Sequence, residues 1–207
     1  MKRLTILMLA FVASMALPTH VSAQFDLGKA FKSLIGGDDE PTPYELIAQN
    51  APAASDVVGT WVYNGADIEY FGSNVLADYA ISEAKSYALS EVRKAGVMPG
   101  SAVMTIKRNG NAQIKWKDET LSGKYVYDDS NGSLQIIAEI EGKQVKCDGF
   151  VRLSGDTLTV LIDANDVVEA YKSLRPGDTD SSALSIAEGI LDNFSQIYGA
   201  GVFVRRK

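Results

Sequence analysis

From Ser101 to Ile162 hydrophobic and polar residues alternate, and turn-forming pairs interrupt them at intervals of about ten residues. AVMTIKR reaches Asn109-Gly110, and AQIKWK then sets Ala112, Ile114 and Trp116 on one side and Gln113, Lys115 and Lys117 on the other. TLSGKYVY ends at Asp128 to Gly132, SLQIIAEIE at Glu141-Gly142, and QVKCDGFVRL at Ser154-Gly155, before TLTVLI closes the run. Successive side chains of a strand point to opposite faces, so a period of two marks strands with one buried face. Short turns rich in Asn, Asp and Gly join such strands as hairpins. The pattern predicts an antiparallel meander, which closes into a barrel or stacks as a sandwich rather than building βαβ units.

The flanks read differently. In VVGTWVY, Val57, Gly59, Trp61 and Tyr63 share one face of a strand. Asn64-Gly65 predicts a hairpin turn, with Asp67 to Phe71 as the returning strand. Ser73 then caps a helix that runs to about Ala95 and stops at Gly96. Ala77, Ile81, Ala84, Ala88, Val92 and Ala95 form its apolar stripe, with Leu76, Tyr79 and Tyr87 along one edge. So many alanines imply close approach to a neighbour.

After the meander, Asn165 is placed to cap a helix carrying Val167, Tyr171 and Leu174. Leu184, Ala187, Leu191 and Phe194 mark a second helix, and AGVFVRR is a last strand. Pairing that strand with the first would close the sheet and remove both edges. The expected fold is therefore mainly β with added helices: an antiparallel meander closed into a barrel of about eight to nine strands. A long helix follows strand two, and two helices precede the last strand.

Residues 1–23 carry the order of a secretory signal: Lys2 and Arg3, an apolar run from Leu4 to Leu17, and Val21-Ser22-Ala23 before a cleavage point at Gln24. The expectation is a protein exported to the periplasm or beyond, with no membrane span. Residues 24–50 read as a helical segment and linker. Phe25 to Gly36 is an amphipathic helix that either docks on the body or lies on a membrane surface, and Thr42-Pro43-Tyr44-Glu45 is a capping box. Residues 51–207 make up the barrel domain.

Composition narrows the chemistry. The net charge of −6 becomes more acidic once Lys2 and Arg3 are removed, which argues against nucleic acid or an anionic membrane as partner. The one histidine, His20, lies within the signal, and the one cysteine is Cys147. A mature chain of this kind cannot assemble a Ser-His-Asp or Cys-His nucleophile, or a His/Cys metal site. No acidic residue occupies an inward strand position where burial would raise its pKa. The expectation is no enzyme and no cofactor. Cys147 alternates with Val145, Gly149 and Val151, which places it inward, although a lone thiol in an oxidising compartment can also link two chains.

Gly59-x-Trp61 on the first strand, the meander, and a late helix before a basic final strand resemble the lipocalin and wider calycin barrels. The whole mature chain more closely resembles an uncharacterised family of secreted lipocalin-like proteins from Bacteroidetes, a domain of unknown function. The resemblance implies that Gly59 lets the first strand bend and that Trp61 plugs the closed barrel end. It further implies that a late-strand arginine, Arg205 or Arg206, stacks across the indole. Two features depart from lipocalins: the long helix, which is more like the helical lid of fatty-acid-binding proteins, and the lack of a disulfide.

Three functions fit this reading. One is a carrier of a small hydrophobic ligand held in the barrel, with Tyr87, Met104, Trp116 and Tyr125 as candidate ligand-binding residues. The inward set that includes Ile106, Ile114, Leu121, Leu134, Ile136 and Val160 would line such a pocket or fill it as a packed core. The second is an interaction module for an envelope protein or glycan, and the third an inhibitor of a secreted hydrolase.

Overall fold

The computed structural model describes residues 47, 50–72, 81, 82, 85, 89, 90, 92–94, 96–174 and 188–206. The expectations for the signal, the 25–36 helix, the linker and Tyr87 lie outside the described residues. A short turn of helix, α1 (Ala54–Val57), leads into β1 (Gly59–Tyr70). The meander follows as β2 (Ala102–Ile106), β3 (Asn111–Trp116), β4 (Glu119–Asp128), β5 (Ser133–Ile140), β6 (Lys143–Ser154) and β7 (Thr157–Asp163). Then come α2 (Ala164–Leu174) and β8 (Ile197–Arg205). The described positions from 81 to 94 are helical, as are residues 188–191. No helix among the described residues is long and apolar enough to cross a membrane.

Every strand pairs antiparallel with its neighbour in sequence, and β8 pairs with β1 to close an eight-stranded barrel. The ladder from Trp61↔Arg205 to Tyr70↔Ile197 satisfies the backbone of both terminal strands, so neither is left as an open edge. The turns carry their chemistry where it was expected: Glu141 and Gly142 both take positive φ, 54° and 77°, as a two-residue hairpin demands.

Asn64-Gly65 corrects the expectation. It is not a turn, and the two short strands expected around it are the single twelve-residue β1. Neither residue adopts the positive φ that a hairpin turn needs. The register along β8 instead skips Asn64, stepping from Tyr63↔Phe203 to Gly65↔Val202. One extra residue in a ladder is a β-bulge, and it switches which face each later residue occupies. Trp61 and Tyr63 are buried before it and Ile68 after it, so an odd set and an even set both point inward. A continuous partner as long as β8 outweighs the local turn preference. The count is therefore eight strands, and the long helical region follows β1 rather than a second strand.

The cap of α2 also moves. Asp163 rather than Asn165 closes it, its Oδ1 accepting the Asn165 backbone N–H at 2.8 Å. Val167, Tyr171 and Leu174 are buried, as their spacing requires. Val167 and Tyr171, with Val168 and Ala164, pack with Ile68, Ile81, Ile190 and Ile197, whereas Leu174 joins Ala170 in a cluster with Ile140 and Val145.

The barrel is also apolar on part of its outer surface. Phe150, Leu161, Tyr198 and Ala200 are buried on the outer faces of β6, β7 and β8, together with Ile47. Tyr198 meets Phe71 and Phe150 edge-on, each at 5.6 Å between ring centroids. Nearby, Arg152 grips Glu69 with two hydrogen bonds of 2.9 and 2.7 Å.

Candidate functional site

The two ends of the barrel are built differently, and the site follows from that. At one end α1 crosses beneath β1. Trp61 has no exposed surface, and its Nε1 donates to the Val57 carbonyl at 2.9 Å. The Arg205 guanidinium lies over the indole, Cζ 4.3 Å from the ring centroid. Its Nη2 donates to the Asp56 carbonyl at 2.5 Å and its Nη1 to the Val58 carbonyl at 3.5 Å. Arg206, one residue on, is exposed and touches β1 through its backbone N–H, which donates to the Thr60 carbonyl at 2.9 Å. Gly59 sits beneath this stack with φ 156°, and a Cβ there would stand 3.0 Å from Arg205 Nη1. A side chain at that position would force the guanidinium to shift by a few tenths of an ångström.

Past the plug, the interior is hollow. A cavity of about 220 Å³ runs from the Tyr63 and Phe203 rings to the underside of α2. The walls there are small: Ala66, Ala102, Ala138 and Gly201 come from β1, β2, β5 and β8. Val167 and Ala170 of α2 form the roof, and Val92 and Val97 close the side between β1 and β2. The lining is almost wholly apolar, and none of it carries a charge.

Two polar groups interrupt it. The Tyr63 ring rests edge-on against Phe203, 5.8 Å between centroids, and burial raises its phenol pKa, opposed in part by Arg93. Burial pushes the Cys147 thiol up to about 12, reinforced by the negative charges of Asp166 and Asp148. Both groups are therefore neutral at physiological pH. The geometry suits shape-matched holding of an apolar molecule: the Cys147 thiol that faces the space is protonated, and no acid–base pair accompanies it among the described lining residues. Among the described residues no cluster of His, Cys, Asp or Glu is arranged to hold a metal ion.

Of the candidate ligand-binding residues, Met104 lines the cavity. Trp116 is buried at the far end of β3, opposite Ala102, with the Lys117 ammonium 4.5 Å from its ring centroid. It does not line the cavity. Tyr125 does not line it either: its hydroxyl donates to the Lys107 carbonyl at 2.8 Å, beside the β2–β3 turn at the plugged end. Neither aromatic is therefore brought to the cavity wall. Reasoning from sequence missed Tyr63, Cys147, Val167 and Ala170 as cavity lining. The signal for Tyr63 was its place on the Trp61 face, and for Val167 its place on the apolar stripe of α2.

A second concavity, of about 460 Å³, lies on the outer face of β4, β5 and β6. Val126, 63% exposed, and the Phe150 and Tyr198 rings give it an apolar floor, with Asp128, Asp148 and Asp163 around it.

A family model described as a lipocalin-like domain (DUF4923) matches residues 44–201. No curated protein matches the chain. Among solved structures, the chain is similar to the crystal structure of a DUF4847 family protein from Bacteroides vulgatus ATCC 8482. The two are 13% identical with a TM-score of 0.38, and the likeness covers 75% of this chain and 99% of that one.

Proposed function

The chain belongs to that lipocalin-like family, and on this premise we propose that it is a non-enzymatic, exported protein whose barrel holds one small apolar ligand. The observation that carries this reading is the apolar cavity of about 220 Å³, partly open to solvent, between the plug and α2. Apolar walls of this extent that no side chain covers forgo the packing that larger residues would supply. A barrel selected only for stability would fill it with larger side chains at Ala66, Ala102, Ala138 and Ala170. The uncharged lining supports binding over chemistry. Export rests on the basic, apolar and small-residue order before Gln24.

Native mass spectrometry of the protein purified from its own host tests the carrier reading. The expected result is a co-purified small molecule that is released on unfolding. Apo protein that also takes up no apolar probe would overturn it. N-terminal sequencing of the same sample should begin at Gln24.

A second reading, an envelope interaction module or hydrolase inhibitor, is favoured by the outer concavity around Val126, Phe150 and Tyr198. Its occupant would be a protein or glycan. Val126→Asp should then abolish partner capture and leave the interior cavity untouched.

A further inference from the structure

Resting on the carrier reading, we propose that the cavity selects a neutral ligand of about nine non-hydrogen atoms bearing one hydrogen-bonding group, which the Tyr63 hydroxyl meets, and that it excludes carboxylates.

Size is the first argument. An engineered apolar cavity of about 150 Å³ holds benzene, with six non-hydrogen atoms, so 220 Å³ scales to about nine. A long-chain fatty acid exceeds that.

Charge is the second. No charged side chain lines the space, and a carboxylate moved into it would lose its hydration with no counter-ion within the lining. The charges nearest the β6 wall are the Asp148 and Asp166 carboxylates that act on Cys147, and they repel an anion. The Arg93 charge, which acts on the Tyr63 hydroxyl, comes from an exposed side chain outside the lining, where water screens it.

The third argument is Tyr63 itself. It is 8% exposed and lines the cavity, and among the described residues its hydroxyl has no hydrogen-bond partner. A hydroxyl that opens onto an otherwise apolar wall is a ready partner for a ligand oxygen. The edge-on Phe203 contact holds the ring in place, so the hydroxyl is presented without reorganisation. Cys147 offers only a weak thiol donor at the opposite wall.

The test uses the full chain and four probes at pH 8: octan-1-ol, octane, octanoate and tetradecanoate, measured by isothermal titration or by methyl chemical shifts. Octanol should bind, octane more weakly, and both acids at least about a hundredfold more weakly than octanol. Tyr63→Phe keeps the ring volume, so circular dichroism should show the same fold. It should weaken octanol roughly three- to tenfold and leave octane unchanged. Octanoate binding as tightly as octanol would overturn the neutral-ligand proposal while leaving the carrier reading intact. An equal effect of Tyr63→Phe on octanol and octane would overturn the role of the hydroxyl. Failure of all four probes to bind would instead remove the carrier reading itself.

Discussion

The plugged end and the α2 end of the barrel are made from the same eight strands, yet one is filled and the other hollow. At the plug, a Trp, an Arg and the carbonyls of α1 satisfy one another. Trp61 gives its N–H to Val57, and Arg205 gives its donors to Asp56 and Val58 while covering the ring. Toward α2 the small residues Ala66, Ala102, Ala138 and Gly201 sit among larger ones such as Leu121, Ile136 and Ile162, and the helix contributes Val167 and Ala170 to the wall. Closure by one large aromatic leaves no volume, whereas closure by a helix leaves whatever the small residues do not occupy. The difference suggests that stability is concentrated at the first end and ligand capacity at the second.

Substitutions can break that division. Trp61→Ala removes a fully buried aromatic and leaves a void, and should lower the unfolding free energy by about 3–5 kcal/mol in urea titrations. Octanol affinity of the folded fraction should change little. If the mutant melts like wild type but loses binding, the plug belongs to the site and the contrast between the ends collapses.

At the hollow end, Cys147 supplies a pH signature. Its folded pKa, about 12, lies above the ordinary value of 9.0, so folding favours the protonated thiol. That contribution is fully present below pH 9 and is lost as pH rises from 9 toward 12, with a slope on the order of 1 kcal/mol per pH unit. Tyr127 and Tyr198 are also raised to about 12, so the slope must be compared with that of Cys147→Ala. The variant should show the shallower loss between pH 9 and 11. Equal slopes would mean that the thiol is not buried.

Arg205→Ala should cost about 1–2 kcal/mol, because it removes both the stacked cation and two hydrogen bonds to α1. Arg206→Ala, at an exposed position whose visible contact is through the backbone, should stay within about 0.5 kcal/mol. A double comparison of melting curves separates them, and equal losses would refute the assignment of the stack to Arg205.

Filling the cavity should change stability little and binding strongly. Ala138→Val adds volume at the cavity wall and should stabilise the fold by no more than about 1 kcal/mol. Octanol binding should fall by at least about tenfold, since the added methyl groups occupy ligand volume. Unchanged binding would place the ligand elsewhere.

Much of this fold was determined locally and is readable in the chain. Period-two alternation specified the strands from Ala102 to Asp163, and pairs such as Glu141-Gly142 specified turns, because a turn's φ requirement is met by the residues that form it. Inward Cys147 follows from the same alternation, and the buried stripe of α2 from helical spacing. Tertiary structure decided the rest. Asn64-Gly65 has a strong turn preference, but β8, more than a hundred residues later, offers β1 a continuous ladder, and only a bulge reconciles the two. Alternation says that one of Arg205 and Arg206 faces inward, while the register Trp61↔Arg205 selects which. Above all, an inward alanine or tyrosine reads identically whether its neighbour across the barrel is a packed side chain or empty space. Whether volume is left over depends on everything that converges on one point from eight strands and α2, and no local pattern carries that sum.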